Sequence, residues 1–252
     1  MPGLFVNIIA MILMQLNVWG GRLEKQILDL IVQEQPDIIC LQEAVSIKGG
    51  GNGGLFLTVD KIKKLYSMNL AYSPVFSFSF MRRKAEFGNA IFSKDKILNE
   101  DTVFTRLEYK KDFDFESDDY NIRNLLHVTI DNKGRQLHIL THHGHHVPNH
   151  KRGNEETLRQ CNQIVEYIKG LKGEIILTGD FNLEPDSESM QQINKVLRNL
   201  PIEAGLTTTR TSLTLKTEVC DYIFVNDKVK VKEFKPLDDI VSDHKALILK
   251  FE

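Results

Sequence analysis

The residues that could do chemistry in this chain stand at the ends of apolar runs: Asn17, Glu43, His143, Asp180, Asn182, Asp221, Asp243 and His244. Carboxylates and amides at the tip of a buried segment pack poorly, and catalysis is one reason to keep them there. Most of the set are hard oxygen donors, and no cysteine accompanies them. Such a set suits Mg²⁺ or Mn²⁺ rather than zinc. Histidines beside it point to water attacking a phosphoester. A cation would neutralise phosphate oxygens, a carboxylate would orient or activate water, and a histidine would stabilise the charged transition state. The central stretch is Ile175-Ile176-Leu177-Thr178-Gly179-Asp180-Phe181-Asn182. Its apolar start reads as a buried strand. Gly179 permits a sharp turn, and a carboxylate, an apolar anchor and an amide follow.

Each residue also has a plainer reading. Asp180 alone fits a turn or helix cap, Glu43 an exposed strand end, Asn17 a turn amide and Asp221 a surface charge. Ser242-Asp243-His244 is not a nucleophilic triad, because three adjacent residues cannot converge as a triad does. The run His142-His143-Gly144-His145-His146 could hold zinc, although it lacks the aspartate of a His-x-His-x-Asp-His pattern. His145, His146 and His150 read as loop residues. Arg82-Arg83-Lys84 reads as a solvated basic turn, with a substrate-contacting loop as the alternative.

The elements that must position these residues follow from periodicity. Residues 8–18 read as a buried strand ending at Asn17. Leu23, Ile27, Leu30 and Ile31 share one face of a helix over 22–35, which Pro36 stops. Residues 37–42 return as a strand ending at Glu43. Residues 49–54 read as a mobile glycine-rich loop, without the Gly-Lys-Ser/Thr of a P-loop. A helix is expected over 58–68, and strands over 72–80 and 88–93. The acidic, aromatic stretch 99–120 reads as a surface excursion that could contain a strand. Residues 121–130 and 136–141 form a hairpin around Asp131-Asn132-Lys133-Gly134. Asn154 caps a helix to Lys169, with Glu155 and Glu156 in its first turn. A further helix runs over 188–199 after Ser187, followed by a threonine-rich loop over 207–212. Residues 221–225 and 229–234 read as a second hairpin, and 246–251 as the last strand. Strands that alternate with helices and also pair as hairpins imply a mixed sheet or two packed sheets with helices outside.

At 252 residues and 42% hydrophobic content, the chain fits one domain over 1–252 whose core needs no staple. A net charge of −2 excludes a strongly basic nucleic-acid binder but not a local basic groove. Cys40, Cys161 and Cys220 have no zinc-type spacing and read as free, buried thiols in a reducing, cytoplasmic compartment. The apolar N-terminus is too short and interrupted to span a bilayer. It lacks a basic n-region and a small-x-small cleavage site.

The ordered set Leu16-Asn17, Leu41-Gln42-Glu43, Gly179-Asp180-Phe181-Asn182, Asp221-Tyr222-Ile223 and Ser242-Asp243-His244 resembles the endonuclease/exonuclease/phosphatase superfamily. The resemblance runs from Asn17 to His244. It implies an α/β fold, a four-layer α/β sandwich with two mixed β-sheets packed face to face and outer helices. It implies a Mg²⁺- or Mn²⁺-dependent phosphoesterase, expected as a monomer, whose phosphoester substrate is a nucleic acid, a small molecule or a lipid head group. Glu43 would bind the metal with Asn17 beside it. Asp180 would orient or deprotonate water, and Asn182 would hold phosphate or water. Asp221 would support a histidine, Asp243 would pair with His244 or approach the metal, and His244 would contact the scissile phosphate. The strand over 137–140 places His143 at the family's histidine in preference to His142, which falls beside substrate. Arg123 matches an arginine that would bind phosphate; Arg159 and Gln160 match structural positions. Two alternatives stay open: a non-catalytic phosphate-binding module of this fold, and a zinc hydrolase built on the histidine loop.

Overall fold

A computed structural model describes residues 10–47, 55–132 and 134–252. The glycine-rich stretch 49–54 and the first positions of the strand expected from residue 8 lie outside the described residues. In chain order come β1 (Met11–Asn17), α1 (Glu24–Glu34), β2 (Ile38–Ile47), α2 (Val59–Tyr66), β3 (Asn69–Phe80) and β4 (Arg83–Ser93). Next are β5 (Ile97–Arg106), β6 (Arg123–Asn132), β7 (Arg135–His143), α3 (Glu155–Lys169), β8 (Glu174–Asp180) and α4 (Glu188–Asn194). The last are β9 (Arg198–Asn199), α5 (Leu200–Glu203), β10 (Asp221–Val225), β11 (Val231–Pro236) and β12 (Leu247–Phe251).

The strands form two six-stranded mixed sheets, ordered β11-β12-β1-β2-β4-β3 and β5-β6-β7-β8-β10-β9. Each has one parallel pair at its centre, β1 with β2 and β7 with β8. A parallel pair needs a long crossover, and α1 and α3 supply it. Strand alternation sends Leu13, Ile38 and Ile91 inward against Leu126, Ile139 and Ile176 of the other sheet. The outward residues Met14, Leu16 and Ile39 pack on Ile27, Leu30 and Ile31 of α1. Leu140, Leu177 and Phe224 pack on Cys161, Ile164 and Ile168 of α3 and on Met190 of α4. The result is the expected four-layer α/β sandwich. Central strands covered on both faces read as continuous apolar runs, which is why they were visible in sequence. Burying each such side chain fully contributes roughly 1.5–3 kcal/mol.

Local signals explain the element ends. Gln35 ends α1 in a left-handed conformation, φ 48°, its N–H bonded to the Ile31 carbonyl just before Pro36. The Asn154 side chain accepts from the Thr157 N–H and the Thr157 hydroxyl accepts from the Asn154 N–H, closing a capping box. The excursion over 99–120 does contain a strand, β5, which pairs with β6 along the edge of the second sheet.

Two expectations are corrected. Residues 221–225 and 229–234 are not a hairpin: β10 pairs with β8 and β9, whereas β11 pairs with β12 in the other sheet. The link between them is held at each end by a different sheet. Asn226 exchanges hydrogen bonds with Ile175, and Lys230 does so with Glu252. The helix over 188–199 stops at Asn194; Asn199 instead accepts from the Ile202 N–H and caps α5 ahead of Pro201.

A buried histidine pair ties β6 and β7 to α3. His138 Nε2 is 3.0 Å from the Lys172 carbonyl oxygen and must donate to it. His138 Nδ1 then accepts from His127 Nε2 at 3.0 Å, and His127 Nδ1 accepts from the Tyr167 hydroxyl at 2.8 Å. The two rings cannot both be protonated, because His127 Nε2 and His138 Nδ1 would then both be donors. Burial, aided by His138, lowers His127 from 6.5 to about 4. Between those values the unfolded chain binds a proton that the folded chain refuses. The stabilisation is therefore complete above about pH 6.5 and is lost as pH falls toward 4. The thermal unfolding midpoint is expected to drop between pH 7 and pH 5, less steeply in a His127→Gln protein. Scanning calorimetry at the two pH values checks this, and an equal drop in both proteins contradicts it.

Candidate active site

The parallel pairs decide where the polar tips meet. β1 and β2 end side by side, with Asn17 opposite Gln42 in register. β7 and β8 end with His143 opposite Asp180. β10 runs antiparallel and begins at that same edge, Asp221 opposite Asp180. Asp243 and His244 arrive from the segment before β12. In α/β sheets the carboxyl ends of parallel strands are where ligands bind, and here two sheets bring such ends together.

Glu43 reaches this edge through an irregularity. The β2 register moves from Leu41 opposite Ala90 to Ala44 opposite Gly88, so β2 carries one extra residue, a bulge. Within it Glu43 has φ 56°, a strained conformation for a non-glycine residue, costing on the order of 1–3 kcal/mol. Asn182 also has φ 56°. Gly179, at φ 146°, lies where a Cβ would collide with the His142 carbonyl oxygen. Only glycine lets β7 and β8 approach so closely just before Asp180.

The side chains form one network. The Asn17 amide donates to Glu43 Oε1 and to Asp180 Oδ2, each at 3.1 Å. The Asn17 carbonyl oxygen accepts from the Trp19 N–H at 3.0 Å, which fixes the amide orientation. The Asn182 N–H donates to Asp180 Oδ1 at 2.9 Å. His143 Nε2 is 3.9 Å from Asp180 Oδ2, and His244 Nε2 is 3.6 Å from it. His244 Nδ1 lies 2.8 Å from Asp221 Oδ2, which also receives the Thr209 hydroxyl at 2.7 Å. Asp243 Oδ1 is 3.8 Å from His244 Nε2.

Electrostatics set the protonation states. Burial alone would raise the Asp180 carboxyl, but His244, Arg210, His143 and Lys151 together hold it well below the usual carboxylate range. Burial raises Glu43, opposed by the Asn17 hydrogen bond. Burial and nearby Arg123 push His143 well down, so it is neutral near pH 7. Burial works against a charge on His244, yet Asp221 and Asp180 outweigh it and its pKa rises. Asp221 is itself raised by burial, with His244 opposing. Both shifts favour a pair that keeps its proton.

A cavity of about 600 Å³ opens over the network, and Glu43, His143, Asp180, Asn182, Asp243 and His244 all line it. Asn17 and Asp221 are fully buried behind those residues. His142 is corrected: expected beside substrate, it does not line the cavity. Alternation along β7 turns it into the second sheet, where Nδ1 is 2.9 Å from the Asn124 carbonyl oxygen and the ring packs on Phe181. Arg123 lines the cavity but is largely occupied. Its guanidinium donates to the carbonyls of Gly144, Tyr120 and Ile122 and to the Asn121 amide oxygen, chiefly bracing the loops around it. Gln160 accepts from the His145 N–H and holds the histidine loop.

Among the described residues, the trio whose ligand atoms converge within 4.8 Å is Asp180, Asp221 and His244. No histidine of the 142–146 run joins it: the His142 ring is held at the Asn124 carbonyl and the His146 ring lies 2.9 Å from the Tyr120 hydroxyl. The three cysteines are free and buried, with thiols pushed up to about 12 by burial. They offer no thiolate.

Several site residues were missed in the sequence. Arg210 is buried, donates to His244 and lies 3.9 Å from Asp243 Oδ2. Lys151, also buried, donates to Asn182 Oδ1 at 2.5 Å. Gln15 bonds Gln42 and Asp221, and Gln42 donates to the Thr141 hydroxyl, joining the sheets beneath the site. Arg210 and Lys151 come from loops without periodicity. Gln15 and Gln42 did carry a signal, since each interrupts an otherwise apolar strand.

No sequence among curated proteins matches the chain. Its fold is similar to an endonuclease/exonuclease/phosphatase family protein from Leptotrichia buccalis, at TM-score 0.71 and 21% identity over 96% of this chain and 100% of that one. D. rerio TDP2, complexed with a single strand DNA product, aligns at TM-score 0.69 and 16% identity over 96% of this chain and 99% of that one. A Bacteroides thetaiotaomicron mannosyl-6-phosphatase aligns at TM-score 0.68 and 18% identity, covering 96% and 99%. The model of the Endonuclease/Exonuclease/phosphatase family matches residues 14–244, a span that contains every strand-end residue of the cavity, and the chain belongs to that family.

Proposed function

We propose that the chain is a divalent-metal-dependent phosphoesterase in which water attacks phosphorus. The observation that carries this reading is the convergence of an ionised Asp180 with Glu43, Asn182, His143 and His244 in one cavity. Asp180 orients the attacking water and takes its proton. Asn182 holds a phosphate oxygen through its amide, which Lys151 steadies from behind. Asp221 holds the His244 ring at Nδ1, and the Arg210 guanidinium that donates to its Nε2 places a positive charge where the phosphate would sit. His143 faces Asp180 from the opposite side and offers a neutral ring. Arg210, missed in the sequence, adds a fixed positive charge beside His244 and Asp243. Residues of both sheets line the cavity, which supports reading 1–252 as one domain.

Glu43 fits a hard cation. Among the described residues its carboxylate accepts a hydrogen bond from Asn17 and has no ion-pair partner. The charges of Asp180 and Asp243 lie near enough to raise it further. Glu43 would hold Mg²⁺ or Mn²⁺, with Asp243 available on the same wall and Asn17 fixing the Glu43 carboxylate. When bound, the metal supplies Lewis-acid neutralisation of the phosphate oxygens. One relative is complexed with a single strand DNA product and another is a mannosyl-6-phosphatase, which leaves both polymeric and small phosphoesters within this class.

Hydrolysis of bis(p-nitrophenyl) phosphate with Mg²⁺ or Mn²⁺ is expected, with loss on chelation and recovery on adding metal. Asp180→Ala is expected to lower kcat by roughly 10³-fold or more, combining lost base and lost electrostatics. Full activity under chelation, or in the Asp180→Ala protein, contradicts the assignment. The His244–Asp221 pair makes a separate prediction. Asp221→Asn keeps the shape and removes the charge that raises His244, so the His244 pKa falls. Titration of its ring carbons by NMR reads the change, and an unaltered titration curve excludes Asp221 as the cause.

A further inference from the structure

We propose that the cavity binds a phosphoester carrying a hydrocarbon chain, and that a phenylalanine wall beside the catalytic residues is the subsite for that chain. The inference rests on the phosphoesterase reading of the same cavity and adds a substrate class to it.

One end of the cavity is polar, with Glu43, Asp180 and His244. The rest of its lining includes Val45, Phe56, Phe76, Phe78, Phe80 and Phe87, with Phe115 at the side. Period-two alternation along β3 puts Phe76, Phe78 and Phe80 on one face of the first sheet. The rings brace one another. Phe76 stacks on Phe87 at 5.1 Å and on Phe113 at 4.2 Å. Phe115 meets Phe78 edge to face at 5.4 Å, and Phe56 meets Phe80 likewise at 5.2 Å. This is preformed apolar surface, held without a ligand.

The surface continues outward. Phe115 is 67% exposed, and Met81 and Leu55, which adjoin Phe80 and Phe56 in sequence, are 66% and 57% exposed. Large apolar side chains clustered beside a cavity call for an explanation that scattered ones do not. The turn that carries Met81 is a second observation. Phe80 pairs with Arg83, leaving Met81 and Arg82 as a two-residue turn with φ 47° and 61°. Asn-Gly is the low-strain choice there. A methionine held at that strain and left exposed is a poor turn residue and a good apolar contact.

The chemistry of the wall selects the occupant. Phenyl and isopropyl groups offer no hydrogen-bond donor or acceptor. A nucleobase can stack on a phenyl ring, but edges enclosed by this wall would lose their bonds to water without replacement, whereas a hydrocarbon chain loses none. Arg123 and Arg210 are already bonded within the protein, which leaves Arg22 and Lys216 as the other cations of the lining, two charges that suit a single phosphate more than a polynucleotide backbone. The cavity volume, about 600 Å³, exceeds what a phosphate group alone fills and lies within the range of small-molecule sites.

The test is a series of p-nitrophenyl phosphodiesters with one leaving group and a varied second substituent: methyl, hexyl, phenyl or thymidine-5′. With Mg²⁺ or Mn²⁺ supplied, kcat/KM for the hexyl ester is expected to exceed the methyl ester by at least about tenfold. Each fully buried methylene is worth roughly fourfold, so this asks that fewer than two of the five added groups be buried. In Phe115→Ser and Phe78→Ser proteins the hexyl-to-methyl ratio is expected to fall toward one. Because the ratio is internal, partial unfolding does not imitate that result. A ratio near one in the native protein, with the methyl ester turned over, overturns the subsite and leaves the phosphoesterase standing. A thymidine ester preferred over hexyl, and sensitive to the same substitutions, overturns it in favour of a nucleobase; a preferred phenyl ester does so in favour of an aryl group. If no ester is turned over, phosphodiester hydrolysis by this cavity fails on its own terms. Calorimetric binding of hexylphosphonate against methylphosphonate then decides the subsite by the same tenfold criterion.

Discussion

A carboxylate covered as deeply as Asp180 stays ionised only if its surroundings replace the water it has lost. Asn17, the Asn182 N–H, His143, His244, Arg210 and Lys151 supply that replacement. Asn17 belongs to β1 of one sheet and His143 to β7 of the other. The charge on Asp180 is therefore solvated by both halves of the sandwich at once. The same arrangement that keeps it ionised leaves its oxygens pointed at a cavity, where a water molecule can use them. Stability and chemistry make the same demand on these donors.

The donors converge because of strand direction. Two parallel pairs, each made possible by a crossover helix, end at one edge, and antiparallel β10 begins there. Parallelism alone would leave Glu43 in the line of its strand. The β2 bulge and its positive φ swing the residue into the cavity. Strain at Glu43 is tolerated because hydrogen bonds on both sides over-determine the backbone there. Beneath this layer, Gln15, Gln42 and Thr141 hydrogen-bond across the inter-sheet core. Shifting one sheet against the other would leave these buried amides unpaired, so the polar layer fixes the register on which the site depends.

Most of the sandwich was legible because its central strands are apolar on both faces and its helices show a clean face. The strand-end residues were legible for the converse reason, since each breaks an apolar run. Legibility failed where the deciding contact was distant. Nothing in residues 221–234 says that the two strands join different sheets; the choice is made by Ile175 and Glu252, far away in sequence. His142 and His143 are adjacent and alike, and only the pleat separates cavity from core. Arg210 and Lys151 sit in irregular loops, where charge reads as solvated surface. Their burial follows from what Asp180, Asp243 and Asn182 require, and that requirement appears only after folding.

The two ends of the cavity constrain each other. The polar end is crowded with fixed charges that, on the proposed function, would hold a phosphate in one orientation, so whatever is esterified to it would leave along a limited set of directions. The phenylalanine wall occupies much of the remaining lining. An apolar wall beside these groups also limits the water that reaches Asp180, and a lower local dielectric strengthens every charge interaction in the network. Covering the wall with a hydrocarbon substituent would remove still more water and tighten the contacts of His244 and Arg210 on the phosphate. A small hydrophilic ester would leave the wall wet and the charges screened. Selectivity for the substituent and efficiency at phosphorus therefore draw on a single property of the site, the exclusion of water next to a buried carboxylate.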